Sequence, residues 1–271
     1  MVKLGGALDD EMTRACADVR TLVSGGAEVV VVHGGGAAAD RVGTELGRPT
    51  RHLTSRDGRR SRYTDAAALD TLMLGILGRV KPTIVTALAS LGVRAVGLSG
   101  LDGGMVTATR NRASRAILDG MEVIVRDDLS GRLSDVDASL PNTLLAAGFV
   151  PVISPPALST DGPLNVDADR LAAALAVALS ADTLVVLSNV PGLLRDRHDP
   201  ASLITSVPVD APEEYLALAE GRMKVKLRAA VEARRAGVGT VVLADGRTDS
   251  PVLTATGTRF VTREEHHARA S

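Results

Sequence analysis

The sequence predicts an α/β protein built on a mainly parallel sheet with crossover helices. Short β-rich apolar runs alternate with helix-length stretches along the chain. The first two runs end in glycine clusters, where a strand hands over to a helix. With 271 residues and 45% hydrophobic content, the chain can bury a sizeable core as one large unit or two lobes.

The elements follow in order. Val2 to Leu4 reads as a buried strand. Asp9 to Val23 reads as a helix, with acidic residues at its start and Ser24-Gly25-Gly26 as its stop. Glu28 to His33 is a second strand, leading through Gly34-Gly35-Gly36 into the helix Ala37 to Leu46. The segment from Arg48 to Arg62, with Asp57 and Gly58, reads as a hairpin. Thr64 is placed to cap a helix running to about Gly78 and on past Pro82 to Ser90, with a kink at the proline. Further strands are expected at Arg94 to Leu98, Phe149 to Ile153, Thr183 to Leu187 and Thr240 to Leu243. Helices are expected at Asp167 to Leu179, Pro212 to Glu220 and Arg222 to Ala236. No internal repeat or low-complexity linker divides the chain, so two lobes would share a sheet. Their boundary is placed at Leu164, giving lobes 1–164 and 165–262 and a polar tail 263–271, with His266-His267 disordered or on the surface.

Composition narrows the function. A net charge of −1, with two Tyr, two Phe and no Trp, argues against nucleic-acid binding. One cysteine, Cys16, cannot form an intrachain disulfide, and the chain opens directly on a strand without a secretory leader. Cytoplasm is the expected compartment. No run of about 18 uninterrupted apolar residues suggests a membrane span.

The chemistry sits in the glycine clusters and the lysines. Only four lysines stand against twenty-seven arginines: Lys3, Lys81, Lys224 and Lys226. A retained lysine marks a place for a compact ammonium, unless the survivors are random. Lys3 precedes Gly5-Gly6, and Lys224 and Lys226 follow Gly221. Glycine after a strand lets backbone approach an anion, and the next helix points free N–H groups at it. Each loop alone could simply end a strand. Together, with Lys3 between them at one carboxyl edge of a parallel sheet, they favour phosphate. They match neither the P-loop nor the dinucleotide fingerprint.

These blocks, with Arg62-Tyr63-Thr64-Asp65, Gly97 to Gly100, Asn165 to Asp169, Val190-Pro191-Gly192 and Met223 to Lys226, resemble the amino acid kinase family in order over nearly the whole chain. The likeness implies a three-layer α/β/α sandwich, and is strongest to the acetylglutamate kinase group, which phosphorylates a side-chain carboxylate using ATP and magnesium. Several positions depart from that group. Asp167 stands for Asn, Asn189 for Asp and Leu101 for Lys, Arg222-Met223-Lys224 replaces an uncharged approach, and the segment before Arg62 is longer. With Ser154 to Leu158 and Tyr215 to Ala219, these look like aminoadipate kinases whose substrate rides on an acidic LysW-type amino-group carrier protein.

The resemblance implies roles. Lys3 and Lys226 would contact the transferring phosphoryl group, with Asp169 holding both. Gly34, Gly35, Gly36, Arg62 and Asn165 would bind substrate, and Gly5, Gly6, Ser188, Asn189 and Gly192, with the two lysines, the nucleotide. Magnesium would arrive on ATP, as no cluster has protein metal-site spacing. The density of arginines between Arg48 and Arg62 independently suggests an acidic partner docking through Arg51, Arg56, Arg59 and Arg60, extended by Arg222 and Lys224. The alternative is a hairpin kept soluble by its charges. A homodimer follows from the family likeness, and Lys81 is assigned a surface or subunit-contact role. Two other functions stay open: acetylglutamate kinase proper, and a catalytically silent amino-acid sensor.

Overall fold

The computed structural model describes residues 1–5, 10–55, 58, 60–111 and 113–270; Gly6, Arg56 and Arg59 of the predicted site lie outside the described residues. The strands are β1 (Val2–Leu4), β2 (Val31–His33), β3 (His52–Ser55), β4 (Arg60–Arg62), β5 (Ala95–Gly100), β6 (Val106–Arg110), β7 (Ser114–Leu118), β8 (Met121–Val125), β9 (Gly131–Val136), β10 (Val150–Ser159), β11 (Gly162–Leu164), β12 (Thr183–Ser188), β13 (Leu193–Leu194), β14 (Leu203–Ile204), β15 (Ser206–Pro208), β16 (Thr240–Asp245) and β17 (Gly257–Val261). The helices are α1 (Asp10–Ser24), α2 (Gly36–Glu45), α3 (Ala66–Gly75), α4 (Lys81–Ser90), α5 (Ser139–Ala146), α6 (Ala168–Ala178), α7 (Glu213–Leu218), α8 (Gly221–Arg235) and α9 (Arg263–Ala270).

One eleven-stranded sheet runs in the order β15-β17-β16-β12-β1-β2-β10-β6-β9, with β5 and β11 also paired to β10. Its centre is parallel: Val2 pairs with Val185 on one side and Val31 on the other, and Leu4 pairs with His33. Successive strand residues alternate between two cores, as the pleat requires. Val30, Val32, Leu184, Val186, Val241 and Leu243 pack with α6 and α8 on one face. Val29, Val31, Val185, Leu187 and Val242 pack with α1 and α4 on the other. The protein is therefore a three-layer α/β/α sandwich around a mainly parallel sheet, as expected.

A second, antiparallel sheet β4-β3-β7-β8 stands apart. Its β3–β4 pair is the predicted hairpin, with His52 opposite Arg62. The β7–β8 hairpin was not anticipated; Asp119 and Gly120 form its turn, both at positive φ.

Two expectations are corrected, the residue that caps α3 and the disorder allowed for the tail. Asp65, not Thr64, caps α3, its carboxylate accepting from the Ala68 N–H at 2.8 Å, because Thr64 is drawn into other bonds described below. Between α3 and α4 lies a π-helical turn, Ile76–Val80, which widens the helical run just before Pro82. The polar tail forms α9: Arg234 donates to Glu265 at 3.2 Å, and His266 meets the Ser206 hydroxyl at 2.8 Å. Ala66–Ser90 is a continuous 25-residue helical run with a mean hydropathy of 1.4 over its most apolar stretch. Asp70, Arg79 and Lys81 interrupt the run, and Leu72, Ile76, Val80, Ile84 and Leu88 are buried in the core.

Candidate active site

Lys3 lies between Val2 and Leu4 of β1, whose side chains enter the α1–α4 core, so its own side chain emerges on the α6–α8 face. There it meets Asp169, in the first turn of α6, and Lys226, in the second turn of α8. Both ammonium groups reach the same oxygen, Oδ1 of Asp169: Lys3 Nζ at 2.6 Å and Lys226 Nζ at 2.9 Å. The three side chains are 6%, 13% and 11% exposed for Lys3, Lys226 and Asp169. Burial alone would raise the Asp169 pKa, but the two cations outweigh it and hold the carboxyl well below its ordinary range. Lys226 is pushed down to about 8, by burial first and the Lys3 charge second, with Asp169 opposing. Residues distant in sequence thus form one buried triad of two cations sharing one anion, carrying a surplus positive charge.

Asp167 explains how Asp169 is placed. It caps α6, accepting from the Asp169 and Arg170 N–H groups at 3.0 and 2.9 Å. The cap fixes the first turn, and with it the acid that faces the lysines.

The glycine loop after β2 adjoins this triad. A Cβ on Gly34 would meet the Ala168 Cβ at 3.5 Å, while one on Gly35 would lie 2.7 Å from Ile76 Cγ1. A side chain at Gly35 would therefore have to displace Ile76 and Val80 of the π-helical turn. Gly36 opens toward arginines, with Arg222 Nη2 3.4 Å and Arg62 Nη2 3.7 Å from its Cβ position. Gly5 abuts the Leu187 carbonyl at the neighbouring strand end. One loop therefore bridges the lysine triad and a pair of guanidinium groups.

Arg62 is engaged within the protein. It donates to the Asp40 carboxylate at 2.7 Å, to Thr50 Oγ1 at 2.6 Å and to the Gly36 carbonyl at 3.2 Å. Asp40 was not anticipated, although its spacing of four from Gly36 puts it on the same helix face. Its pKa is lowered: burial opposes, and Thr50, Arg62 and Arg222 prevail. Asn165 donates to Thr64 Oγ1 at 3.3 Å, and the Thr64 N–H donates to Asp128 at 2.9 Å. Thr64 thereby ties the segment after Arg62 to the start of α6, another link sequence reading missed.

The remaining predicted residues divide. Arg51 is paired with Asp119 at 2.8 Å and stacks over Tyr63, and Arg60 meets His52 Nδ1 at 3.1 Å. Arg222 is exposed beside the glycine loop, while Lys224 is half-buried on α8. Of the residues expected to line a nucleotide, Ser188 is buried at the end of β12 and Asn189 is exposed. A Cβ at Gly192 would lie 2.5 Å from Thr258 Oγ1, which receives the Leu193 N–H; packing alone accounts for that glycine. A small crevice beside β1 is lined by Leu4, Gly5, Glu11, Met12, Leu187 and Gly246. Among the described residues no group of His, Cys, Asp and Glu could hold a metal ion.

Comparison with known proteins agrees with this geometry. The [LysW]-aminoadipate kinase of Deinococcus radiodurans is 42% identical over 256 residues, covering 94% of this chain and 88% of that protein. An acetylglutamate kinase of Prochlorococcus marinus is 36% identical over 262 residues, covering 93% of this chain and 79% of that protein. The structure of Giardia carbamate kinase superposes with a TM-score of 0.67 at 15% identity, covering 96% and 97% of the two chains, a likeness of fold. Residues 1–245 match the amino acid kinase family, and with the identities above this chain belongs to that family.

Proposed function

We propose that this protein transfers the γ-phosphoryl group of ATP to the side-chain carboxylate of an acidic amino acid, aminoadipate or glutamate, attached through its amino group to an acidic LysW-like carrier protein. The observation that carries the phosphoryl-transfer reading is the convergence of Lys3 and Lys226 on one oxygen of Asp169, beside a glycine loop. A side-chain carboxylate is already ionised at neutral pH, so no base is needed to activate it. What the reaction requires is alignment of two anions and neutralisation of charge on the group in flight. A carboxylate oxygen forms the new bond to phosphorus, the bond to the bridging oxygen breaks, and ADP leaves, giving an acyl phosphate.

In this reading Lys3 and Lys226 face the phosphoryl oxygens, Asp169 orients them, and the Gly5, Gly34 and Gly35 N–H groups complete the cradle. The surplus positive charge of the triad and the absence of side chains on the loop fit a triphosphate. Ser188, Asn189 and the region around Gly192 line the nucleotide side. Magnesium, held mainly by phosphate oxygens, would add charge neutralisation. Residues 1–164 form the substrate lobe and 165–262 the nucleotide lobe. Arg62, aligned by Asp40, and Asn165 serve the amino acid. A homodimer and a cytoplasmic location belong to the same reading.

The carrier assignment is supported by the resemblance to carrier-dependent kinases and by Arg222, which adds a second guanidinium at the substrate mouth. Because Arg51 is paired with Asp119, docking falls mainly on Arg60, Arg222 and Lys224, with Arg56 and Arg59. The test is ATP consumption with hydroxylamine trapping of the product, using free aminoadipate, acetylglutamate, and a carrier bearing terminal glutamate or aminoadipate. The carrier-bound substrate is expected to turn over best, with kcat/KM falling as salt screens the basic mouth. Turnover of acetylglutamate alone would favour the acetylglutamate kinase alternative; no phosphoryl transfer with any acceptor would favour the silent sensor.

A pH profile probes the triad. Lys226 titrates at about 8 without nucleotide, so kcat/KM for ATP is expected to fall above about pH 8 as its charge is lost. Bound triphosphate raises an ammonium pKa, so kcat should persist to higher pH. Parallel falls in both parameters would contradict this.

A further inference from the structure

Lys81 and His33 belong to none of these roles; His33 adjoins the glycine loop, and Lys81 lies on the same face of the sheet, over a strand two places away. His33 ends β2 and continues the row of Val29 and Val31 that packs on α1 and α4. It is fully buried, and its Nδ1 lies 2.8 Å from the carbonyl oxygen of Gly34. An oxygen can only accept, so Nδ1 must carry the proton and Nε2 a lone pair. That Nε2 is buried with no hydrogen-bond partner. Burial keeps the ring neutral, with a pKa lowered to about 4 and the Lys81 and Lys3 charges reinforcing the effect.

Lys81, at the first turn of α4, is half-buried. Its stem lies across Gly97 of β5, where a Cβ would come within 2.9 Å of Lys81 Cδ. Gly97 is level with Val152, and Val152 with Val31, so the stem crosses the same sheet face two strands from the His33 row. Its ammonium is depressed to about 8 by burial, with Asp102 opposing. Asp102 is itself tied to the Ser99 hydroxyl at 2.8 Å.

We propose that Lys81 and His33 form a relay that orients the Gly34–Gly35 peptide, Lys81 donating to His33 Nε2 directly or through one water. Lys81 is then a positioning residue. A buried acceptor needs a donor, and Lys81 is the nearby cation on that face. Donation to Nε2 fixes the proton on Nδ1, which holds the Gly34 carbonyl. In a trans peptide the C=O and the following N–H point in opposite directions. Holding the Gly34 oxygen toward His33 therefore aims the Gly35 N–H away from the ring and across the loop. With the other tautomer, two lone pairs would face each other and the peptide would be released.

The kinetic part of the test rests on the reading that this loop holds the transferring phosphoryl group; the tautomer measurement does not. Nitrogen NMR with isotope-labelled histidine reports which ring nitrogen is protonated. The wild type should show the Nδ1–H form at His33, and Lys81→Met, which keeps the stem over Gly97, should populate the Nε2–H form. Lys81→Met should lower kcat about tenfold with KM for ATP changed less than about twofold, and Lys81→Arg should restore most of it. In His33→Asn, whose amide nitrogen replaces Nδ1 but has no tautomer, adding Lys81→Met should cost nothing further. The relay is overturned if Lys81→Met keeps both the Nδ1–H form and wild-type kcat, or costs the same with His33 as with Asn at that position. If the tautomer shifts while the wild type transfers no phosphoryl group, the relay stands and the function proposed for the loop fails.

Discussion

Replacing either Lys3 or Lys226 with alanine is expected to lower kcat by on the order of a hundredfold or more, since in the proposed mechanism each is a preorganised charge at a developing anionic centre. The loss should appear in kcat rather than in KM for ATP, because these groups matter most as bond breaking shifts charge among the oxygens. Removing both should cost less than the two single losses combined, since the lysines share one oxygen of Asp169 and act as a unit. Steady-state kinetics, with folding checked by circular dichroism, decide the matter. A variant within a few fold of wild type would remove that lysine from the mechanism.

Asp169→Ala should be damaging in a second way. It leaves two buried ammonium groups facing each other without their counter-charge, and breaking a buried ionic group by removing one partner costs about 3–5 kcal/mol. Urea unfolding at neutral pH would read this directly. The pH dependence has a definite sign. The folded-state pKa of Asp169 lies below its unfolded value, so its contribution is fully present above the unfolded pKa and lost as pH falls through the folded value. The stability gap between wild type and variant should therefore close as the solution is acidified below about pH 4. A constant gap across that range, or an alanine variant as stable as wild type, would contradict the linkage. Asp169→Ala combined with Lys3→Ala should recover part of the stability, because it removes one of the opposed cations.

Much of the central sheet is legible in the sequence because buried parallel strands are uniform apolar runs and their helices carry stops. β1, β12 and α6 fall within a residue or two of their expected limits. The peripheral strands β6 to β9 are not read, because they are short, interrupt their apolar residues with Arg, Glu, Asp or Thr, and have their pairing settled by distant partners. The Asp119-Gly120 turn was the available signal. In the site, lysines and glycines stand out as rare residues in marked places. Asp40, Thr64 and His33 do not, because each acts through a tertiary neighbour: Arg62, Asn165 or the Gly34 carbonyl. The hairpin arginines were legible as a cluster, but not the partner of Arg51, which comes from the β7–β8 turn.

β1 spans three residues and is flanked by β12 on one side and β2 on the other. A break in the polypeptide after Leu164 would leave β1 and β2 on one fragment and β12, α6 and α8 on its complement. Neither piece alone would own both the ammonium of Lys3 and the carboxylate that neutralises it. The ionic triad therefore comes into being only where both halves of the sheet meet.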